Sequence, residues 1–239
     1  MQKVKIDRFI NKYSLNGIVN TVRWQIKDGT LTTSFVTDDK GLMGNVSVDN
    51  VQIEDGLMGV YTTDQLQKLL NVVSDDVDIS IVKIDDRCVK LKVGSSVANV
   101  EYPLSDLSVI GTPPKLKTQP VFDTKINVDR RFIDTFIRGK SALSEVNKFT
   151  LVKNGELKLV IGHSSTNTNR VTIPVDVSEN NLENNMSFNG DWFKEILLAN
   201  KECSSATFEI SNDGIAKINF KVDDYDSTYY IVAMQEDAE

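Results

Sequence analysis

The stretch Asp7-Arg8-Phe9-Ile10 returns in related form as Asp134-Thr135-Phe136-Ile137, 127 residues further along a chain of 239. Three more pairs of segments repeat in the same order and at nearly the same spacing. They are a hairpin at 26–31 and 152–157, a helix-like segment at 64–70 and 191–197, and a turn with its strand at 86–91 and 213–218. Because a period of this length is that of a whole domain, the sequence predicts two duplicated domains rather than a short solenoid repeat.

Each half of the repeat has the order helix, several strands, helix and further strands. Helical periodicity is confined to four segments, whereas the sequence between them alternates or is rich in β-branched residues. Several strand-like runs are joined by Asp-Gly or Asn-Gly, the residue pairs that close tight hairpins. We therefore predict an α+β fold of two duplicated β-rich domains, each with two helices. The predicted helices span 5–14, 63–73, 128–139 and 191–200.

A proline-rich segment separates the two halves. We expect an N-terminal domain at 1–102, an interdomain connector at 103–120 and a C-terminal domain at 121–239. The connector holds four of the five prolines, and proline removes backbone donors and fixes φ, which favours an extended chain over a sheet interior. It also contains Leu107, Val109 and Ile110. Such an apolar connector either packs on its own domains or borders a groove for a partner's peptide.

The composition is that of an ordinary globular chain, with 40% hydrophobic residues and a net charge of -7. No apolar run approaches the roughly 18 residues that a membrane span needs, and charges interrupt the N-terminal stretch where a signal peptide would be apolar. The two cysteines, Cys88 and Cys203, offer neither a disulfide framework nor a zinc spacing. These features predict a soluble protein of the cytoplasm.

The sequence is poorly equipped for catalysis. Its one histidine, His163, lies in a polar stretch and is expected in an exposed loop or at a strand end. The string Gly139-Lys140-Ser141 resembles the end of a phosphate-binding loop, but Asp134 stands where that loop needs its first glycine. Four Asp-Asp pairs fall between strand-like or helix-like runs and are interpreted as turns. We predict no enzymatic activity, no cofactor and no metal site.

Charge is distributed unevenly along the chain. The first helix region, from Lys3 to Ser14, carries +3, the segment 128–140 carries +2, and the other two helix regions are neutral, so the remainder carries -12. Lys5, Arg8 and Lys12 fall within about 60° of one another, opposite the apolar stripe. A basic helical face on an acidic chain suggests one surface that meets phosphates. The alternative is that these are simply solvated faces of amphipathic helices.

Three stretches carry a family resemblance. They are Leu69-Leu70-Asn71-Val72-Val73-Ser74-Asp75-Asp76-Val77-Asp78-Ile79, Glu101-Tyr102-Pro103 and Tyr229-Tyr230-Ile231-Val232-Ala233-Met234. With the duplicated β-rich domains, they resemble the DNA sliding clamps, and closest in pattern are the clamps of T4-type bacteriophages, which are DNA polymerase accessory proteins. The resemblance implies a head-to-tail homotrimer that a clamp loader opens and closes around duplex DNA. Such a ring tethers the replicative DNA polymerase, and in T4-type phages it also assists late transcription.

A ring of this kind is geometrically reasonable. Twelve helices spaced ~10 Å apart would enclose a bore of roughly 28 Å, which admits duplex DNA with water around it. Because the helix aromatics lie on the apolar side, we expect contact with the DNA backbone and no sequence readout. The expected DNA-facing residues are Lys5, Arg8, Lys12, Lys68, Arg131, Arg138, Lys194 and Lys201. The expected partner-binding residues are Leu107, Val109, Ile110, Tyr230 and Val232.

Two other classes of protein remain open at this stage. One is a non-enzymatic structural or adaptor β-protein, such as a virion component, with no role on DNA. The other is an unrecognised hydrolase that would use an Asp pair and a bound metal ion.

Overall fold

The structure is a computed structural model, and it describes residues 2–114, 116, 118–164 and 168–235. The described residues fall into two compact units. Unit 1 is drawn from Met1–Thr37, Gly44–Pro114 and Asp223–Ser227. Unit 2 is drawn from Asp38–Met43, Lys115–Val222 and Thr228–Glu239. The division of the sequence at 103–120 stays a prediction.

Unit 1 has a helix before its first strand and another after its fourth strand. In chain order the elements are α1 (Lys3–Ser14), β1 (Val22–Lys27), β2 (Thr30–Val36), β3 (Leu42–Val48, of which 44–48 lie in unit 1), β4 (Gly56–Val60), α2 (Thr63–Leu70), β5 (Asp78–Ile84), β6 (Arg87–Gly94), β7 (Asn99–Pro103) and a 3-10 turn (Leu107–Val109). The first sheet has the strand order β4-β1-β2-β3, and the second has the order β5-β6-β7.

Unit 2 repeats this order with two additional strands. Its elements are β8 (Thr124–Asp129), α3 (Arg130–Ala142), β9 (Lys148–Asn154), β10 (Glu156–Ile161), β11 (Val171–Pro174), β12 (Asp176–Asn180), β13 (Met186–Asn189), α4 (Gly190–Ala199), β14 (Ser205–Ser211), β15 (Ile215–Val222) and β16 (Tyr225–Val232, of which 228–232 lie in unit 2). The strands β13-β9-β10-β11 correspond to the first sheet of unit 1 and β14-β15-β16 to the second, while the additional strands β8 and β12 pair with each other. The predicted α+β fold of duplicated β-rich domains is confirmed.

The first hairpin shows how the sequence produces these strands. In β1, Val22, Trp24 and Ile26 are buried while the residues between them are not, which is the two-residue period of a half-buried strand. The chain then reverses at Asp28 and Gly29, whose φ values of 51° and 76° match a type I′ turn. The Asp-Gly pair therefore closes the hairpin as predicted.

Two predicted helices end three residues away from the predicted position. The segment 63–73 is helical only to Leu70, and the segment 128–139 begins its helix at Arg130 and continues to Ala142. Val128 instead belongs to β8, which runs directly into α3. A short apolar run fits the two-residue period of a strand and the 3.6-residue period of a helix equally well, so the pattern alone does not locate the change from β8 to α3.

Each unit has an aromatic core into which its helices insert their apolar stripes. In unit 1 the ring of Phe9 meets the rings of Tyr13 and Trp24 edge to face, at 5.4 and 5.6 Å between centroids. In unit 2 the rings of Phe136 and Phe193 meet at 4.9 Å. Phe9 and Phe136 are both completely buried and are equivalent in the repeat. This burial leaves the opposite face of each helix for charged side chains.

Candidate nucleic-acid interface

The cations of α1 are largely neutralised within unit 1. The Lys5 ammonium lies 2.6 Å from an Asp224 carboxylate oxygen and 3.2 Å from the Asn50 carbonyl oxygen. Both terminal nitrogens of Arg8 donate to one carboxylate oxygen of Asp223, each at 3.1 Å. We refer to Asp223 and Asp224, which join β15 to β16, as the acidic turn. The expected basic face of α1 is therefore an ion-paired face in the folded chain.

Lys12 does not lie on an exposed helix face, and the structure corrects that expectation. It is only 1% exposed, and its ammonium is 5.4 Å from the centroid of the Tyr225 ring. The Arg8 guanidinium covers the same ring at 4.5 Å. An aromatic face attracts a cation by its quadrupole, and the long lysine stem gains by apolar burial. Lys12 therefore stabilises unit 1 and has no free surface for a phosphate.

Between α1 and α2 lies a polar groove that contains carboxylates as well as one lysine. Asp7 and Asp64 line it together with Lys68, and the Gln67 amide donates to Asn11 at 3.0 Å across it. Burial raises the pKa of the Asp7 carboxyl, an effect that Lys3 at 3.8 Å opposes. Lys68 is exposed at this groove. The helix pair of unit 1 thus presents a nearly neutral surface.

Helix α3 of unit 2 is different, because its arginines are exposed. Asp129 caps its N-terminus by accepting a 2.7 Å hydrogen bond from the Phe132 amide, which fixes the start of the helix. Arg131 and Arg138 follow on one side, seven residues apart, and neither forms an ion pair with a described carboxylate. Arg130 is also exposed. Arg130 was not among the residues that we expected to face DNA.

Lys140, near the end of α3, is buried between the two helices of unit 2. It is 2% exposed, lies 2.6 Å from the Asp191 carboxylate at the start of α4, and donates to the Ser144 carbonyl oxygen at 3.2 Å. The Gly139-Lys140-Ser141 string is therefore part of a helix whose lysine joins α3 to α4. Lys140 adds no charge to the outer surface.

The two lysines expected on α4 have different surroundings. Lys194 is half-exposed and lies 3.6 Å from its neighbour Glu195, a pair that leaves it little net charge to offer. Lys201 is exposed just beyond the end of α4 and pairs with no described carboxylate. Over the described helix regions, the exposed cations without an ion pair are Lys68 in unit 1 and Arg130, Arg131, Arg138 and Lys201 in unit 2.

The start of the connector packs closely on unit 1. Ile110 is 3% exposed, and a Cβ at Gly59 would come within 2.9 Å of its side chain, so Ile110 is an anchor and not the surface contact that was expected. Arg23 on β1 donates to the carbonyl oxygens of Leu107 and Ile110 and fixes the 3-10 turn between them. Val109 is left 61% exposed and Leu107 half-exposed. Of the three connector residues that were expected to bind a partner, Leu107 and Val109 therefore stay accessible.

The other expected partner-binding residues lie on β16 in unit 2. Tyr230 is half-exposed and Val232 is exposed. The backbone of Val232 donates to the Gly41 carbonyl oxygen at 2.8 Å, which ties the end of this strand to the 38–43 segment of the same unit. Both side chains present apolar surface on an ordered strand.

Groups that could serve catalysis or metal binding are scattered. His163 is half-exposed, next to Gly162 at the end of β10. Within the described ranges, no three His, Cys, Asp or Glu side chains are placed to share a metal ion. The helices in those ranges are each too short or too polar to cross a lipid bilayer.

The duplicated units with paired helices define the sliding-clamp class of fold. A solved example, the proliferating cellular nuclear antigen of Entamoeba histolytica, has a TM-score of 0.74 to this chain. The match covers 98% of this chain and 96% of that one, at 12% sequence identity. No family model and no curated protein matches the sequence. Because the identity is so low, the likeness establishes the fold alone.

Proposed function

We propose that this protein is a DNA sliding clamp. In this proposal, copies of the chain close into a ring around duplex DNA and tether a replicative DNA polymerase for processive synthesis, with no enzymatic activity of their own. The observation that carries the proposal is the fold match, which extends over nearly the whole of both chains. The partners are duplex DNA, a DNA polymerase, a clamp loader and further copies of the chain.

The exposed cations of unit 2 support a weak contact with DNA that does not depend on sequence. Arg130, Arg131 and Arg138 can each donate to phosphate oxygens, and no aromatic side chain of α3 is exposed to stack on bases. Phosphate contacts of this kind orient a protein on the duplex without reading its sequence. In this proposal, a few such contacts align the ring while its closed topology retains it on DNA.

The free sheet edges of the two units support self-association. Strand β7 is an edge strand of the second sheet in unit 1, and β11 is an edge strand of the first sheet in unit 2. An edge strand presents unpaired backbone donors and acceptors that another strand can satisfy. Pairing β7 of one copy with β11 of the next would be a head-to-tail contact, which closes into a ring when the rotation permits. The number of three copies in the proposed homotrimer comes from the sequence resemblance alone.

Partner peptides are proposed to dock on the expected residues that stay accessible, which are Leu107 and Val109 in unit 1 and, as a separate surface, Tyr230 and Val232 in unit 2. Replacing Val109 by Asp should weaken stimulation of the cognate polymerase while leaving the assembly state unchanged.

We also propose, from the sequence resemblance alone, that the protein comes from a T4-type bacteriophage and that it assists late transcription.

Particle images and native mass measurement test the proposal directly. We expect a ring with a central hole and a mass three times the 26.7 kDa of one chain. With the cognate polymerase and loader, the protein should extend the products made on primed circular DNA. A monomer at micromolar concentration, without a hole in the particle, would overturn the proposal.

A structural or adaptor β-protein is the second candidate function. The observation that favours it is the pairing of Lys5 and Arg8 with the acidic turn, because ion-paired cations are common on solvated surfaces that bind nothing. This candidate predicts no measurable affinity for duplex DNA at low salt, whereas a clamp is expected to bind weakly.

A further inference from the structure

We propose that the acidic turn competes with DNA phosphate groups for Lys5 and Arg8 and so limits how strongly the protein binds the duplex. The inference rests on the proposed clamp function and assigns a regulatory role to Asp223 and Asp224. Both residues contact the first helix although they come late in the sequence: Asp223 lies 215 positions after Arg8.

The turn is fixed in place by contacts other than its ion pairs. The Asp224 carbonyl oxygen accepts from the Asp49 amide at 3.0 Å, and the Asn50 side chain donates to the Asp224 carboxylate at 3.2 Å. The Tyr225 hydroxyl donates to the Lys5 carbonyl oxygen at 2.9 Å. These contacts hold the turn beside α1 independently of its ion pairs, and the two that involve backbone groups of the turn or of α1 remain when the carboxylate charges are removed.

The carboxylates neutralise the two cations that a phosphate group would approach. Both terminal nitrogens of Arg8 already donate to Asp223, and the ammonium of Lys5 lies at a strong hydrogen-bond distance from Asp224. The hydrogen bond from Lys5 holds the pKa of Asp224 below its ordinary value, so this carboxylate stays charged. A phosphodiester therefore has to compete with these carboxylates for the same two cations.

The Arg8–Asp223 pair is also exposed enough to exchange. The side chain of Asp223 is 69% exposed and that of Arg8 is 32% exposed, and surface pairs of this kind contribute little to folding. The main consequence of the turn is therefore expected in DNA binding and not in stability. Arg131 and Arg138 have no such carboxylate among the described residues, so they remain available at all times.

Removing the two charges tests the inference. We would measure binding of a linear duplex of mixed sequence by full-length wild-type protein and by the variant D223N/D224N, from 50 to 200 mM salt. Releasing Lys5 and Arg8 from the two carboxylates should steepen the dependence of log affinity on log salt by up to about 1.8, since each phosphate contact adds about 0.9. The affinity gain of the variant should therefore be larger at 50 mM than at 200 mM salt, by up to roughly tenfold.

A matched control separates this local effect from the change in net charge. The turn Asp85-Asp86 joins β5 to β6 in unit 1, and no ion pair joins it to a described helix cation. The variant D85N/D86N removes the same charge and should leave the salt dependence at the wild-type value. The combined variant K5Q/R8Q/D223N/D224N should also show the wild-type salt dependence, because it lacks the two cations that the inference invokes.

The outcomes distinguish the two levels of the proposal. If the wild type forms a ring but D223N/D224N shows the wild-type salt dependence, the acidic turn is not a competitor and the clamp function stands. If the wild type forms no ring and binds no duplex, the clamp function itself fails. Should D223N/D224N not fold, the single variant D224N decides, because releasing Lys5 alone should steepen the salt dependence by about 0.9, and a wild-type value would overturn the inference.

Discussion

Helices α1 and α3 occupy equivalent places in the repeat, and each carries four basic residues against one acidic residue. In α1, Lys5 and Arg8 are paired with the acidic turn and Lys12 is buried. In α3, Lys140 alone is buried, and the three arginines are exposed without a described ion pair. Equal formal charge therefore gives unequal surfaces, because the availability of a cation depends on which carboxylates and rings the fold places beside it.

The largest expected effect comes from reversing the exposed charges of unit 2. The variant R131E/R138E should lower duplex affinity roughly 100-fold at 50 mM salt, because two phosphate contacts are lost and two repulsions are added. Fluorescence anisotropy with a labelled duplex would measure it. The charge-neutral variant K5Q/R8Q/D223N/D224N is the comparison in unit 1 and should change affinity less than twofold, because it removes both ion pairs without leaving unpaired carboxylates. Equal losses in the two units would contradict the comparison.

The buried lysine of α3 should matter for stability instead. Replacing Lys140 by Ala breaks its ion pair with Asp191 and empties space between α3 and α4, so we expect the free energy of unfolding to fall by about 2 kcal/mol. Because the Asp191 side chain is half-exposed and can be resolvated, the loss should stay below that of a fully buried pair. Chemical denaturation would measure it, with R138A as a matched control that should change stability little.

Lys12 is the corresponding buried cation of α1, and a smaller effect is expected there. The variant K12A loses the contact with the Tyr225 ring and the apolar packing of its stem, which should cost about 1 kcal/mol of unfolding free energy. Its DNA affinity should equal that of the wild type. A clear loss of DNA binding, in a variant whose thermal unfolding shows that it is folded, would show that Lys12 reaches the duplex after all.

The smallest effect concerns Asp7 in the groove of unit 1. Burial raises its pKa in the folded state above the ordinary 3.8, so the ionised carboxylate is disfavoured by folding. The variant D7N should therefore raise Tm slightly at pH 7, and the gain should disappear below pH 3.8, where the carboxyl is protonated in both states. Calorimetry at the two pH values would measure it. A gain that persists at low pH would point to a cause other than charge.

Much of the fold could be predicted from the sequence because its signals are local. The repeat at 127 residues, the Asp-Gly hairpin at Asp28 and the apolar stripe of α1 are each set by residues close together in the chain. The change from β8 to α3 was missed because Val128 and its neighbours satisfy both periods. Ile110 was misplaced because an apolar residue in a connector has the same pattern whether it anchors the chain or faces a partner.

By itself, the sequence determined that this chain has two duplicated β-rich halves, four amphipathic helices and basic residues concentrated on the first and third. Periodicity and turn chemistry suffice for that, since they act over a few residues. Only the tertiary structure decided which cations are free. The carboxylates beside Lys5 and Arg8 come from more than 200 positions away, and the strength of a charge at a surface depends on its nearest neighbours in space and not in sequence.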